Sequence, residues 1–371
     1  DGSKVFAKEF MMKYGIPTAE YKAFTSYLHA EEYVRLKGAP LVIKADGIAA
    51  GKGVFVANTV DEAMEAVRLI MKEKAFGAAG NKVVMEQCLN GEEASFMVLT
   101  DGKTVVPLAT SQDHKTIFDN DEGPNTGGMG AYSPAPVISK KLKTDIMKGI
   151  IKPLVKGLAR EGINYRGIIY AGLMISDGKP YVLEFNCRFG DPEAQPVLMR
   201  FEGDLFDALK ATAEGRLREV KFSWKDGASV CVVLASKGYP GSYEKGKVIK
   251  GLDAFRDKKD VVVFHAGTSI RNGDFVTSGG RVLGVTALGK DIKSAKEKAY
   301  NAIEKIHFDG MHYRRDIGDK AIKRQRIYSV YRKGAINIIR YTLYYTESKN
   351  DFTYPLTLTL SHPPQAEERG L

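Results

Sequence analysis

The chain has 371 residues, 44% of them hydrophobic, with 38 glycines and a net charge of +10. That length accommodates two domains with sizeable cores, and the composition excludes a disordered or collagen-like chain. No apolar run approaches the ~20 residues of a membrane helix, and no basic cluster is interleaved with aromatics, so neither a membrane nor nucleic acid is an expected partner.

Taken in order, Val5, Phe6, Phe10 and Met11 have helical spacing, closed by Gly15 and Pro17. Leu41–Ala45 reads as a buried strand, Asp46 to Gly53 as a glycine-rich turn, and Gly53–Ala57 as a second strand. Ala63, Val67, Ile70 and Met71 predict a helix from Val60 to Lys74. Lys82–Gln87 is a further strand, and Gly91–Leu99 and Thr104–Ala109 pair across the Asp101-Gly102 turn signal. From Ser111 to Pro136 turn residues dominate without periodicity, a length of loop that usually serves function. Ile146–Glu161 and Asp204–Glu214 read as helices, and Gly167–Ile175 with Lys179–Phe189 as a hairpin. Beyond Trp224, strands at Ser229–Leu234, Val261–Ala266 and Gly284–Ala287 and a helix over Ile292–Ile306 predict a smaller α+β domain. From about Gln325 the composition turns Tyr-rich without a core pattern, so residues 325–371 are expected to lie outside the fold.

The strongest chemical signal is Tyr181 to Arg188. On a strand, alternation puts Glu184, Asn186 and Arg188 on one face and Leu183, Phe185 and Cys187 on the other, toward a core. A carboxylate and an amide oxygen suit Mg²⁺ shared with phosphate, and Arg matches a phosphoryl or carboxylate fork. Lys44 to Gly53 is similar to a phosphate loop: Gly51 and Gly53 free the backbone, and Lys44 and Lys52 supply charge. It fails the Walker spacing and reads equally well as a plain strand-to-strand turn. Met85 to Glu93 leaves a strand with backbone groups able to read a base edge. Ser111–Lys115 and Gly123–Pro136 together favour a substrate or phosphate cradle, whereas His114 alone would be a structural hydrogen-bonder. Cys88, Cys187 and Cys231 match neither a disulfide framework nor a zinc pattern, which predicts free thiols and a cytoplasmic location.

The segments Leu41–Val54, Ala94–Phe118, Gly123–Pro136, Tyr170–Met174 and Glu184–Glu193, with Lys237–Tyr243, Phe264–Thr268 and Gly279–Leu283 following in order, resemble the phosphoribosylamine–glycine ligase family of ATP-grasp enzymes. The resemblance runs from about Asp1 to Arg324. It implies an α+β fold in which two ATP-grasp subdomains clamp ATP within residues 1–224, a mobile lid over about 26–88, and a small α+β C-terminal domain over 225–324. It implies that Lys4 and Lys44 bind nucleotide, with Gly51, Lys52 and Gly53 over the phosphates, Glu86 to Leu89 at the adenine and Glu93 at the ribose. Glu184 and Asn186 match Mg²⁺ (or Mn²⁺) ligands, and Arg188 and Lys44 would act on the transferred phosphoryl group. Asp113, His114, Lys115, Asn125, Thr126, Gly127 and Gly128 would hold substrate. Many ATP-grasp enzymes place another metal-binding Glu on the preceding strand, where this chain reads Tyr170-Ala-Gly-Leu-Met.

The reaction implied joins glycine to 5-phosphoribosylamine at the expense of ATP, in purine biosynthesis. Alternatives are another ATP-grasp ligase, or a truncated chain that binds nucleotide without turnover. The family carries a further N-terminal α/β domain, so a separately encoded domain of that kind is an expected partner.

Overall fold

The computed structural model describes residues 2–47 and 53–326. The chain divides into two units, 1–323 and 324–371; of the second only residues 324–326 are described, and the expectation for 325–371 otherwise lies outside the described residues.

Helix α1 (Lys4–Lys13) starts where the Ser3 hydroxyl accepts from the Phe6 amide, a standard N-cap. It leads into β1 (Tyr21–Phe24), α2 (Tyr27–Lys37), β2 (Leu41–Ala45), β3 (Val54–Ala57), α3 (Val60–Val67) and β4 (Val83–Gln87). These strands form an antiparallel sheet in the order β1-β4-β2-β3. Leu41, Ile43, Val83 and Met85 face α2 and α3, where Val34, Ala63, Val67 and Ile70 close a small core. The helical spacing expected to Lys74 holds as far as Lys72, with the last turn widened to π type at Arg68.

A second sheet joins β5 (Glu92–Thr100) and β6 (Val105–Pro107) to a later hairpin. Between them come β7 (Gln112–Asp113), β8 (Gly130–Ser133), and a helical run of α4 (Lys140–Ile146), a π turn and α5 (Lys152–Arg160). The hairpin is β9 (Gly167–Ser176) with β10 (Lys179–Asn186), and the order is β10-β9-β5-β6. Alternation along β5 covers both faces of this sheet: Phe96 and Val98 pack toward α1, α4 and α5, while Met97 and Leu99 pack with Val197 and Ala208. The latter two come from α6 (Ala194–Met199) and α7 (Leu205–Glu214), which flank the short β11 (Phe201–Glu202), paired with β12 (Ser223–Trp224).

The remaining elements are β13 (Ala228–Ser236), β14 (Val261–His265), the ribbon β15 (Thr268–Arg271) with β16 (Asp274–Thr277), β17 (Arg281–Gly289), α8 (Ile292–Ile303) and β18 (Met311–His312). The third sheet runs β14-β17-β13-β8-β7, with β18 also on β13. The stretch expected to be one long loop from Ser111 to Pro136 therefore contains two strands of this sheet. Ser229 to Val232 pair with Ser133 to Gly130, so the chain crosses from the second sheet to the third at this point. Two- and four-residue strands are too short to show a period, and their burial comes from the partner strand.

Candidate active site

The second sheet, strands β2, β3 and β4 of the first and the segment from Asp113 to Gly127 line a cavity of about 760 Å³. Strand β10 supplies its floor. A β-bulge sets Val182 opposite Leu173 but Glu184 opposite Gly172, leaving Leu183 as the extra residue. Beyond the bulge Glu184 and Asn186 line the cavity, joined by Arg188, and Phe185 packs into the core on the other side. Two expectations for this strand need correction. Leu183 lines the cavity instead of packing in the core, because it is the bulged residue. Cys187 is exposed, because the strand ends at Asn186 and the alternation ends with it.

The Asn186 amide donates to Glu184 Oε1 at 3.2 Å, holding the two side chains together. Burial opposes ionisation of Glu184, but Lys115, Lys44 and Lys4 together hold its carboxyl below the ordinary range. The Arg188 guanidinium donates to the carbonyl of Phe189 at 2.8 Å.

On the first sheet, Lys44 projects from β2 and Glu86 from β4. The pair is buried at 2.8 Å, and Lys44 Nζ also donates to the carbonyl of Leu183 at 3.2 Å, linking the two sheets. A second buried lysine, Lys8 of α1, reaches the other Glu86 oxygen at 2.8 Å. Two cations thus share one carboxylate, and Lys44 is set against the Glu184 carboxylate as well. Lys4 Nζ donates to the carbonyl of Gly47 at 2.9 Å; burial lowers its pKa, against the attraction of Glu184. Asp46 fixes this end of β2 to the start of α1, accepting from the Lys4 and Val5 amides at 2.6 and 3.1 Å. Gln87 at the end of β4 and Cys88 and Leu89, which leave it, line the same cavity, as does Glu93. Gly53 is buried at the start of β3; Gly51 and Lys52 lie outside the described residues.

The third wall is the 113–128 segment. Asp113, Lys115, Asn125, Thr126 and Gly127 line the cavity. Lys115 pairs with Glu93 at 2.7 Å, which drives its pKa up. Burial, then the neighbouring Glu193, push the Asp113 carboxyl well up. Gly128 is held at φ +114°, where a Cβ would lie 2.3 Å from Pro192 and 2.7 Å from Asp113 Oδ1, so its backbone packs where no side chain fits. His114 is not brought to the cavity. Its ring is buried edge-on against Tyr132, and burial lowers its pKa to about 3.

Four side chains of the site carried no signal of their own. Ser95, Tyr170 and Glu193 form a buried triangle, with Glu193 Oε1 accepting from Ser95 at 2.8 Å and from Tyr170 at 2.5 Å. Arg281 donates to the carbonyls of Gly127 and Asp191 and to the Asp191 carboxylate, each at 2.8 Å. They come from four separated stretches of chain, and only tertiary structure gathers them. The cysteines form no disulfide, and among the described residues no three His, Cys, Asp or Glu side chains are grouped to hold a metal.

The phosphoribosylglycinamide synthetase models match the chain twice, the ATP-grasp (A) domain over residues 2–194 and the C domain over 229–320. The chain belongs to the phosphoribosylglycinamide synthetase family. Phosphoribosylamine–glycine ligase of Vibrio cholerae is 52% identical over 327 residues, spanning 88% of this chain and 76% of the relative. The chloroplastic ligase of Arabidopsis thaliana is also 52% identical, with 88% of this chain and 62% of the relative covered. The crystal structure of the Thermotoga maritima ligase superposes with a TM-score of 0.76 at 37% identity, covering 85% of this chain and 78% of that one. The biotin carboxylase domain of a Hydrogenobacter thermophilus 2-oxoglutarate carboxylase shares the fold alone, with a TM-score of 0.65 at 17% identity over 84% and 67% of the two chains. The α+β architecture of this family member is therefore the ATP-grasp fold.

Proposed function

We propose that this cavity is the active site of an ATP-dependent carboxylate–amine ligase that joins glycine to 5-phosphoribosylamine. The products are glycinamide ribonucleotide, ADP and phosphate, a step of purine biosynthesis. The observation that carries the reading is the convergence of Lys44, Glu184, Asn186, Arg188 and Lys115 on one cavity, in a chain whose relatives bear that ligase name.

A carboxylate is a poor electrophile because its oxygen leaves badly. Phosphoryl transfer from ATP to the glycine carboxylate gives glycyl phosphate; the amine of phosphoribosylamine then attacks the carbonyl, and phosphate departs. No covalent bond to the protein is needed, so positioning and charge neutralisation do the work. Backbone groups of Glu86 to Leu89 would serve the base, Glu93 the ribose, and Lys4, Lys44 and Gly53 the phosphates; the remaining candidates, Gly51 and Lys52, lie outside the described residues. Glu184 and Asn186 offer two oxygen donors, the set a Mg²⁺ or Mn²⁺ ion accepts when phosphate and water complete its shell. Such an ion would neutralise charge developing on the transferred group. Arg188 sits beside that group as a fork-shaped donor. Asp113, Asn125, Thr126 and Gly127, with the backbone of Gly128, hold the small substrates, while His114 supports the segment from behind. Gly172 and Tyr170 stand opposite Glu184 and Asn186, so β9 adds no second carboxylate at this level. Three cysteines without a disulfide suit a reducing cytoplasm.

The test is ADP formation with Mg²⁺, glycine and freshly prepared phosphoribosylamine. Turnover should require both substrates, and Glu184→Ala should lower it by roughly a hundredfold or more. Turnover indifferent to glycine, or undiminished by Glu184→Ala, would refute the reading.

A further inference from the structure

The segment from Lys115 to Thr126 folds back on itself as a hairpin. Its two ends meet where Thr126 Oγ1 and the Thr126 amide both donate to the carbonyl of Lys115, at 2.8 and 2.7 Å, and Ile117 donates to Pro124 at 3.1 Å. Lys115, Asn125 and Thr126 at this base line the cavity; the residues of the tip, Phe118 to Glu122, do not.

What fixes the tip is a segment nearly two hundred residues later. Arg314 has a fully buried side chain, at 0% exposure. Its Nε and Nη2 fork onto the two oxygens of Asp316 at 2.8 and 2.7 Å. The rest of the guanidinium is spent on the hairpin: Nη1 donates to Thr116 Oγ1 at 2.9 Å and to the Thr116 carbonyl at 3.2 Å, and Nη2 to Asp121 at 3.1 Å. Lys320 pairs with the other Asp121 oxygen. Backbone groups tie the same two segments: Asn120 donates to Asp316 at 2.9 Å, and Arg315 donates to Asp119 at 2.7 Å. A buried, bidentate guanidinium with every donor used defines one geometry, because any shift leaves a desolvated charge unpaired.

We propose that Arg314 is a positioning residue for the ligase reaction: the latch it forms with Asp316, Thr116 and Asp121 sets the hairpin so that Lys115, Asn125 and Thr126 meet the small substrates. This rests on the ligase reading above. It assigns the segment after α8 a role in substrate binding, though Arg314, Asp316 and Lys320 do not line the cavity.

Because Arg314 is buried, its replacement could unfold the domain, so the test uses Asp121→Asn, half-exposed on the hairpin side, with Asp121→Glu as the conservative partner. Three quantities are read: the KM values for glycine and phosphoribosylamine, ATP affinity by direct binding, and hydrogen exchange of the amides from Thr116 to Asn125. Asp121→Asn should raise the KM values about tenfold, leave ATP affinity unchanged and speed exchange in the hairpin alone, and Asp121→Glu should recover most of the loss. Unchanged KM values with only a lower melting temperature would overturn the proposal, as would a parallel loss of ATP affinity. Should the wild-type chain bind ATP yet ignore glycine, the ligase reading fails, and hydrogen exchange still decides whether the latch holds the hairpin.

Discussion

His114 shows how burial decides a residue's part. The sequence alone reads it as a structural hydrogen-bonder and the resemblance as a substrate contact, yet this ring is buried against Tyr132, and both nitrogens lack a hydrogen-bond partner. Burial, followed by the positive charges of Arg314 and Lys320, lowers its pKa to about 3, so the ring is neutral in the folded state. The unfolded ring takes a proton near pH 6.5, and between that pH and 3 the unfolded state therefore binds more protons than the folded one. Stability is full above pH 6.5 and falls as the medium is acidified, with a slope of about 1.4 kcal/mol per pH unit for this group. Urea unfolding of wild type and His114→Phe between pH 7 and 5 should show a shallower decline in the variant. Parallel declines would mean that His114 is solvated or already protonated. At the same scale, Glu184 and Asn186 were legible because strand alternation is local. Leu183 was misjudged because a bulge, and Cys187 because a strand end, interrupts that alternation, and neither is marked by residue type.

At the scale of elements, the site is a meeting of backbone walls. The 113–128 segment approaches the turn after β10 closely enough that Gly128 carries its constraint in space as well as in φ. Gly128→Ala would drive a methyl into Pro192 and Asp113, displacing the turn or the carboxylate by several tenths of an ångström. The expected result is a rise of about tenfold or more in the KM values for the small substrates, with nucleotide binding kept, measured by steady-state kinetics and ATP titration. A variant with wild-type kinetics would show that this approach is looser than described. Most strands and helices were readable from period and caps, since β2, β4, β5, α7 and α8 are long enough to repeat a pattern. Strands β7 and β8 were not: two and four residues within a glycine-rich stretch carry no period, and only pairing with β13 makes them strands.

Across the whole molecule, the first sheet supplies Lys44 and the chain leaving β4, the second supplies Glu184 and Asn186, and the third is tied to the site through β8 and Arg281. The motifs were legible because each lies within ten residues or so. The links between them were not: Lys8 to Glu86, Tyr170 to Glu193 and Arg281 to Asp191 join distant stretches through contacts that only the assembled sheets create. In the function proposed above, Lys44 with Glu184 and Asn186 serves a phosphoryl transfer that activates a carboxylate. The most direct test of that claim is the fate of oxygen. Glycine labelled with ¹⁸O in both carboxylate oxygens is turned over with ATP and phosphoribosylamine, and the phosphate released is examined by mass spectrometry. An acyl phosphate requires one labelled oxygen in each phosphate formed; phosphate without label would contradict the account.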